Sequence, residues 1–351
     1  MKLLVITQKV DINDGVLGFM HGWLEKIAER VDYLYVICNF EGEHNLPNNV
    51  KVYSLGKERG ASRIAKFFSL QRALIEILPK IDGVFVHMCA IYVITGALLT
   101  KLFRKKIVLW YAHVRRINPE LYFASKLADE IMTSVPEGFP YKKHAIVAGQ
   151  GIDVERFAPS SNPQDREKNS ILFLGRLAPV KKVDVLIDVF AKLHKEFSNI
   201  KLNIAGAPTE SYEFPYAKKL YKQVEGLNLL DSIVFHGEIA NYKTPEFFQR
   251  ADIFVNLTKT GGFDKTTLEA MACGALPLVS SLSYKRIFPG DLQNYLMFKE
   301  DDASDLEIKL RQLIGLDEEM KAQIRGQVRE LVVKYHNLDN LVERIINRFQ
   351  S

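Results

Sequence analysis

The sequence predicts an α/β protein built from two Rossmann-like, doubly wound domains, and three observations carry that expectation. Short apolar runs alternate with stretches of helical periodicity along the whole chain. A polar, proline-containing segment, PSSNPQDREKNS from Pro159 to Ser170, divides this alternation into two series. The length, 351 residues with 47% hydrophobic content, is more than one small core organises and suits two domains of ordinary size. The expected division is 1–160 for the first domain and 161–335 for the second, with 336–351 as a C-terminal helix.

In the first series the strand-like runs are Leu3 to Ile6, Tyr33 to Ile37, Val50 to Tyr53, Val84 to Val86, Ile107 to Trp110, Ile131 to Thr133 and Ala145 to Val147. Each is short, and most are apolar on successive residues, as expected of strands buried on both faces of a parallel sheet. Leu17 to Ala28 and Ile64 to Leu78 repeat apolar residues at helical spacing. One stretch, GVFVHMCAIYVITGALL from Gly83 to Leu99, approaches the length of a membrane span. His87 interrupts it, and a strand Val84 to Val86 followed by a helix Ile91 to Phe103 accounts for the same residues. The second series adds Ile171 to Leu174, Leu202 to Ala205, Ile233 to Phe235, Ile253 to Val255 and Leu276 to Val279, with a helical pattern over Glu318 to Phe349. That order gives two halves facing across a cleft.

Composition narrows the function classes. The net charge of +5 is mild, and no basic stripe with interleaved aromatics occurs, so nucleic acid is not an expected partner. The charge is compatible with anionic small molecules and with peripheral contact at a membrane face. Three cysteines, Cys38, Cys89 and Cys273, are far apart in apolar surroundings and read as buried free thiols of a reducing compartment. The run Leu3 to Ile6 is too short for the core of a signal peptide, which makes the cytoplasm the expected location. A nicotinamide dehydrogenase would need Gly-x-Gly-x-x-Gly at the first βα turn, and TQKVDINDGVLG, residues 7 to 18, lacks it.

The most informative stretch is GGFDKTTLEAMACGALPLVS, Gly261 to Ser280. A loop with Gly261, Gly262, Phe263 and Asp264 runs into a short helix beginning at Lys265 and Thr266, and the helix breaks at Gly274. Glycines permit close backbone approach, and a helix start offers free N–H groups and positive dipole to a phosphate. Glu269, one turn in, can accept hydrogen bonds from sugar hydroxyls. The pattern reads as a sugar-nucleotide site, and an ordinary βα turn with a solvated Glu fits the spacing equally. ILFLGRLAPVKKVDVLIDVFAKL, Ile171 to Leu193, is a second strand, loop and helix unit. Its loop cations Arg176 and Lys181 suit a diphosphate whose charge grows as it leaves, although such residues are also commonly solvated.

Five further residues follow from strand ends. Gly15 and Gly18 lie after the first strand, where small residues admit a phosphate or simply make a turn. His113 follows Ile107 to Trp110 in LWYAHVRR, on the carboxyl side of the sheet where ligands of open α/β folds collect. His87 is the weaker candidate by the same argument. His236, in VFHGEI, ends a strand of the second domain and is placed to approach a nucleotide base.

Together the two motif segments resemble the donor site of retaining GT-B glycosyltransferases of family four, the glycosyl transferases group 1 type. Glu269 with Ala270, Met271, Ala272, Cys273 and Gly274 is similar to the second half of the family signature, in which a Glu, seven residues and a second Glu precede an Ala-Met-Ala-Cys-Gly-like run. Gly261 stands in the place of the first Glu, which in the family usually contacts the transferred sugar, and Asp264 is the carboxylate of the same loop that could replace it. Arg176 and Lys181 match the Gly-Arg-Leu-x-x-x-Lys-Gly pattern, with Lys182 where Gly is usual. The family usually has a His at the position of His113, near the sugar O6 and the donor phosphate. The resemblance implies transfer of a sugar from a nucleoside diphosphate sugar to a glycan, lipid-linked or small-molecule acceptor, by front-face substitution with retention. It also implies a last helix returning to the first domain. No Asp-x-Asp pair occurs in the chain, so neither a metal nor another cofactor is expected, and Arg176, Lys181 and helix dipoles would offset the leaving charge. The missing first Glu leaves open a catalytically weak or inactive sugar-nucleotide-binding protein of the same fold.

Overall fold

The computed structural model describes residues 1–112, 118–141, 145–260 and 263–350. The chain forms two compact units. The first comprises Met1–Gly151, Ala240–Tyr242 and Leu338–Ser351, and the second Ile152–Ile239 and Lys243–Asn337.

The first unit contains β1 (Lys2–Val10), α1 (Phe19–Ala28), β2 (Tyr33–Glu41), β3 (Val50–Ser54), α2 (Arg63–Ile77), β4 (Gly83–His87), α3 (Ala90–Leu102), β5 (Lys106–Trp110), α4 (Pro119–Leu127), β6 (Glu130–Thr133) and β7 (Ile146–Val147). The strands pair in parallel in the order β3-β2-β1-β4-β5-β6-β7. Side chains alternate across the sheet, so Leu4, Ile6, Val84 and Val86 feed one core with α2, α3 and α4. Leu3, Val5, Phe85 and Val108 feed the other, beneath α1. Gly83–Leu99 divides into β4 and the start of α3, and among the described residues no helix is long and apolar enough to cross a membrane.

The second unit contains β8 (Ser170–Leu174), α5 (Val183–His194), β9 (Lys201–Ala205), α6 (Phe214–Gly226), β10 (Ile233–Gly237), α7 (Thr244–Arg250), β11 (Ile253–Asn256), α8 (Lys265–Ala272), β12 (Leu276–Val279), α9 (Gly290–Leu296), α10 (Ala303–Gly315) and α11 (Glu318–Tyr335). Its parallel order is β10-β9-β8-β11-β12, which reverses direction between β8 and β11. In α5 the residues Val183, Leu186, Ile187, Phe190 and Leu193 are buried, as their spacing predicts. The C-terminus of α8 is held by two guanidinium groups, Arg166 Nη2 donating to the Cys273 carbonyl at 3.0 Å and Arg329 Nη1 to that of Ala272. Cations there complement the helix dipole and fix the axis of the helix that carries the signature residues. On the same side Lys321, fully buried, pairs with Asp252 at 2.8 Å and ties α11 to the foot of β11.

The helical pattern over Glu318 to Phe349 is not one helix. It stops at Tyr335 and resumes as α12 (Leu338–Ile346), because the His336 carbonyl accepts from Ile152 N at 2.8 Å and Asn337 bridges Ile152 as a short parallel pair. The returning helix belongs to the first unit, where Leu338, Leu341, Val342 and Ile345 pack with Trp23 and Leu24 of α1. Cys38, Cys89 and Cys273 are buried free thiols, and burial pushes the Cys38 and Cys89 thiols up to about 12.

Candidate donor site

Ligands of doubly wound sheets bind beyond the carboxyl ends of the strands where the order reverses. In the second unit that point lies between β8 and β11, and the loops leaving these two strands meet there. Lys181, from the loop after β8, donates from Nζ to Asp264 Oδ2 at 2.5 Å and to Thr258 Oγ1 at 3.0 Å. The same Asp264 oxygen accepts from Thr258 Oγ1 at 2.7 Å and from Asn256 Nδ2 at 3.0 Å, and Asn256 Nδ2 also donates to Thr267 Oγ1 at 3.0 Å. Tyr284 OH donates to the Asp264 backbone carbonyl at 3.1 Å. Burial alone would raise the Asp264 carboxyl. The Lys181 ammonium and these donors outweigh it and hold the carboxyl below its ordinary value.

Asp264 sits at the N-cap of α8, yet its side chain makes no capping bond to the helix. An N-cap carboxylate ordinarily accepts from the second or third helical N–H. Here it is directed to Lys181 instead, and the positive end of α8 carries no covering carboxylate from its own cap. The Asp264 Oδ2 oxygen is therefore engaged within the protein, by Lys181, Thr258 and Asn256.

Arg176 occupies the start of the β8 loop, with Nη1 3.1 Å from Glu213 Oε1 and donating to Thr209 Oγ1 at 3.4 Å. Glu213 is fully buried and accepts from Thr209 N at 2.8 Å and Glu210 N at 3.2 Å. Burial pushes the Glu213 carboxyl up, but these backbone donors and Arg176 bring it below the ordinary range. Both loop cations are thus oriented by carboxylates, which preorganises them at the cost of part of their field. Space for a close approach comes from glycine at the strand ends. Gly206 has φ +138°, and a Cβ there would meet the Gly175 carbonyl carbon at 2.8 Å, so nothing larger fits beside β8.

Glu269 is 3% exposed on α8, one turn beyond Lys265. Burial draws the Lys265 ammonium down to about 8, Glu269 pushes it back up, and Arg156 and Asp153 also act on it. Thr266 follows in the first turn. Phe263 is buried, its ring 5.0 Å from Tyr284 and 5.5 Å from His336, so it anchors the loop rather than presenting a surface. The left-handed Lys182, φ +52° and ψ +39°, explains the glycine usual at that place, and its ammonium pairs with Asp301.

Other predicted positions lie elsewhere. His236 Nε2 donates to Asn203 Oδ1 at 2.8 Å, and His236 lines a separate pocket with Glu167, Phe247 and Arg250. Desolvation, helped by Arg250, lowers its pKa. In the first unit Gly18 begins α1, where a Cβ would fall on the Asp14 carbonyl oxygen, so packing alone demands glycine. Asp14 Oδ1 accepts from Val16 N at 2.8 Å and Leu17 N at 2.6 Å, which occupies the turn N–H groups beside Gly15. His87 is buried against Phe19 and Trp23, ring centroids 5.9 and 5.4 Å away, as a structural histidine would be. His113, Gly261 and Gly262 lie outside the described residues.

Glu213, Asn256, Thr258 and Tyr284 were not singled out from sequence. Asn256 carried a usable signal, a polar residue closing the apolar strand IFVN at the ligand end of the sheet. Glu213 carried none.

With this geometry in place, comparison with known proteins decides the family. Residues 154–330, just over half of the chain, match the model of the glycosyl transferases group 1 family. The chain belongs to that family. Mannosylfructose-phosphate synthase of Agrobacterium fabrum is 32% identical over 149 residues, 40% of this chain and 33% of that protein. The D-inositol 3-phosphate glycosyltransferase of Geodermatophilus obscurus is 23% identical over 210 residues, 56% of this chain and 46% of that protein. The matched region thus spans less than half the length of these relatives. Among solved structures, HepE from Anabaena in complex with UDP-glucose superposes with a TM-score of 0.78 at 16% identity, covering 100% of this chain and 99% of that one. Sucrose-phosphate synthase from Thermosynechococcus elongatus gives 0.78 at 14% identity, with 100% and 98% covered. Such low identities establish the fold, which for this group 1 glycosyltransferase is the GT-B type with two parallel sheets.

Proposed function

We propose that this chain transfers a sugar from a nucleoside diphosphate sugar to a glycan, lipid-linked or small-molecule acceptor, retaining configuration and needing no metal. The observation that carries the reading is the meeting of Lys181 with Asp264 at the reversal point of the second sheet, beside the N-terminus of α8, which the Asp264 side chain does not cap. An ammonium has three donors, and two of those on Lys181 are used inside the protein. The third, with Arg176 and the α8 dipole, suits the oxygens of a leaving diphosphate. Glu269 is the candidate for donor hydroxyls and His113 for the reacting sugar. In the reaction the anomeric C–O bond to the diphosphate breaks, the acceptor oxygen bonds to the same face, and its proton passes to the departing phosphate. The UDP and UDP-glucose complexes of HepE favour a uridine donor. Buried free thiols favour a reducing cytoplasm, with peripheral contact at the inner face of a membrane.

A second reading, a nucleotide-sugar binder with weak or no turnover, is favoured by one specific feature. Gly261 replaces the family carboxylate, and the nearby Asp264 is already engaged by Lys181, Thr258 and Asn256. A thermal-shift screen with uridine, guanosine and adenosine diphosphate sugars, followed by donor hydrolysis and transfer assays in excess EDTA, separates the two. Turnover in EDTA supports the transferase. Loss of turnover restored by manganese or magnesium overturns metal independence, and affinity without turnover establishes the binder.

A further inference from the structure

The outer face of the first unit's helical layer is apolar where a helix covering a sheet should be polar. In α3 the positions Ile91, Thr95, Leu98 and Leu102 form one stripe, and Leu98 and Leu102 are 83% and 74% exposed. In α2 the positions Ile64, Phe68, Gln71 and Ile75 form another, with Ile64 71% exposed and Phe68 65%. Gln71 Nε2 donates to the Thr95 carbonyl at 3.0 Å, so the two stripes lie side by side and make one ridge. On the far side α3 packs against α4, whose Tyr122 and Phe123 are also exposed. Scattered exposed apolar residues need no explanation, but a contiguous ridge on adjoining helices does.

Cations surround this ridge. Arg63, Lys66 and Arg72 flank it on α2, while Lys101, Arg104 and Lys105 cluster at the end of α3. None of these six makes an ion pair among the described residues, although salt bridges are frequent elsewhere in the chain. The carboxylate of Glu76 on α2 is already taken by Tyr53, Lys51 and Lys80.

We infer that the α2–α3 face of the first unit is a docking surface for an anionic lipid bilayer. Leu98, Leu102, Ile64 and Phe68 enter the headgroup and acyl boundary, and the unpaired cations meet lipid phosphates. Charge complementarity selects lipid over a protein partner. Lysine is depleted from protein interface cores, whereas long basic side chains around an apolar ridge can bury their stems and keep their heads at lipid phosphates. The surface deepens the peripheral contact proposed above by giving it residues. It does not depend on the donor site, because vesicle binding is read without nucleotide.

The test is flotation of the full chain with phosphatidylcholine vesicles, with and without phosphatidylglycerol. Binding is expected only with the anionic lipid and should fall as salt is raised. The triple variant Lys101→Ala, Arg104→Ala, Lys105→Ala should lower vesicle partitioning by on the order of a hundredfold. Leu98→Glu should abolish it, with thermal unfolding and nucleotide affinity unchanged in both. Equal binding to neutral and anionic vesicles, or native-like binding by both variants, overturns the inference. So does a stable dimer of the native chain that Leu98→Glu dissociates, since the face would then be occupied by a second copy.

Discussion

Lys181 Nζ and Asp264 Oδ2 lie 2.5 Å apart, joining the loops that leave the two strands at the reversal of the second sheet. Two motifs that read as separate halves of a site in sequence are a single ion pair in the fold. The Asp264 carboxylate orients the Lys181 ammonium, and Thr258 and Asn256 fix the carboxylate in turn. Preorganisation of this kind removes the cost of reorganising the charge during reaction.

The pair makes stability depend on acidity. The Asp264 carboxyl is held below its ordinary value, so it stabilises the fold fully above the ordinary carboxylate range and loses that contribution as pH falls through the lowered value. Asp264→Asn should therefore be less stable than the native chain at neutral pH. The gap between them should shrink below about pH 4. Urea unfolding of both proteins from neutral to acidic pH measures it, and a gap independent of pH would show that Lys181 does not stabilise the charged form.

Under the proposed function, Arg176→Ala and Lys181→Ala each delete a cation that would offset the charge of the departing diphosphate. Turnover should fall by roughly a hundredfold or more in each. Affinity for free nucleoside diphosphate should drop as well, and affinity for the monophosphate should change less. Calorimetry with both nucleotides reads this. Unchanged diphosphate affinity in both variants would place the donor site elsewhere.

All twelve runs expected as strands coincide with strands, most of them because a parallel sheet buried on both faces leaves continuous hydrophobic segments that need no tertiary information to be read, whereas Val50 to Tyr53 and Leu202 to Ala205 are interrupted by Lys51 and Asn203. Of the candidate site, the loop cations and the signature helix could be named from sequence. The pairing of the cations with carboxylates could not. Glu213 meets Arg176 only because α6 begins beside the β8 loop, and Asp264 leaves its own helix cap for Lys181 across the reversal point. The break between α11 and α12 was hidden for the same reason, since the partner of the His336 carbonyl is the distant Ile152.

Glu269→Gln keeps shape but removes the charge that supports Lys265, whose ammonium burial has already drawn down to about 8. Donor binding should weaken by on the order of 1–3 kcal/mol. Without Glu269 the Lys265 value falls further, so the ammonium is lost as pH rises through the neutral range. The deficit should therefore be larger at mildly alkaline than at mildly acidic pH. Calorimetry at the two pH values tests this, and an equal deficit would remove Lys265 from donor binding.

Lys182 is left-handed at the start of α5, with φ +52°, in the position where the family usually has glycine. A left-handed non-glycine residue costs on the order of 1 kcal/mol, and here the ammonium recovers part of it through Asp301. Glycine relieves the strain, but it frees the unfolded chain by a similar amount and gives up the ion pair. Lys182→Gly should thus change stability little. A β-branched residue gains nothing on either count and suffers the largest steric conflict in this conformation. Lys182→Val should unfold roughly 1–2 kcal/mol more easily than Lys182→Gly in denaturant. Equal stability of the two variants would mean that the backbone at 182 relaxes out of the left-handed region, which would also move the neighbouring Lys181 from Asp264.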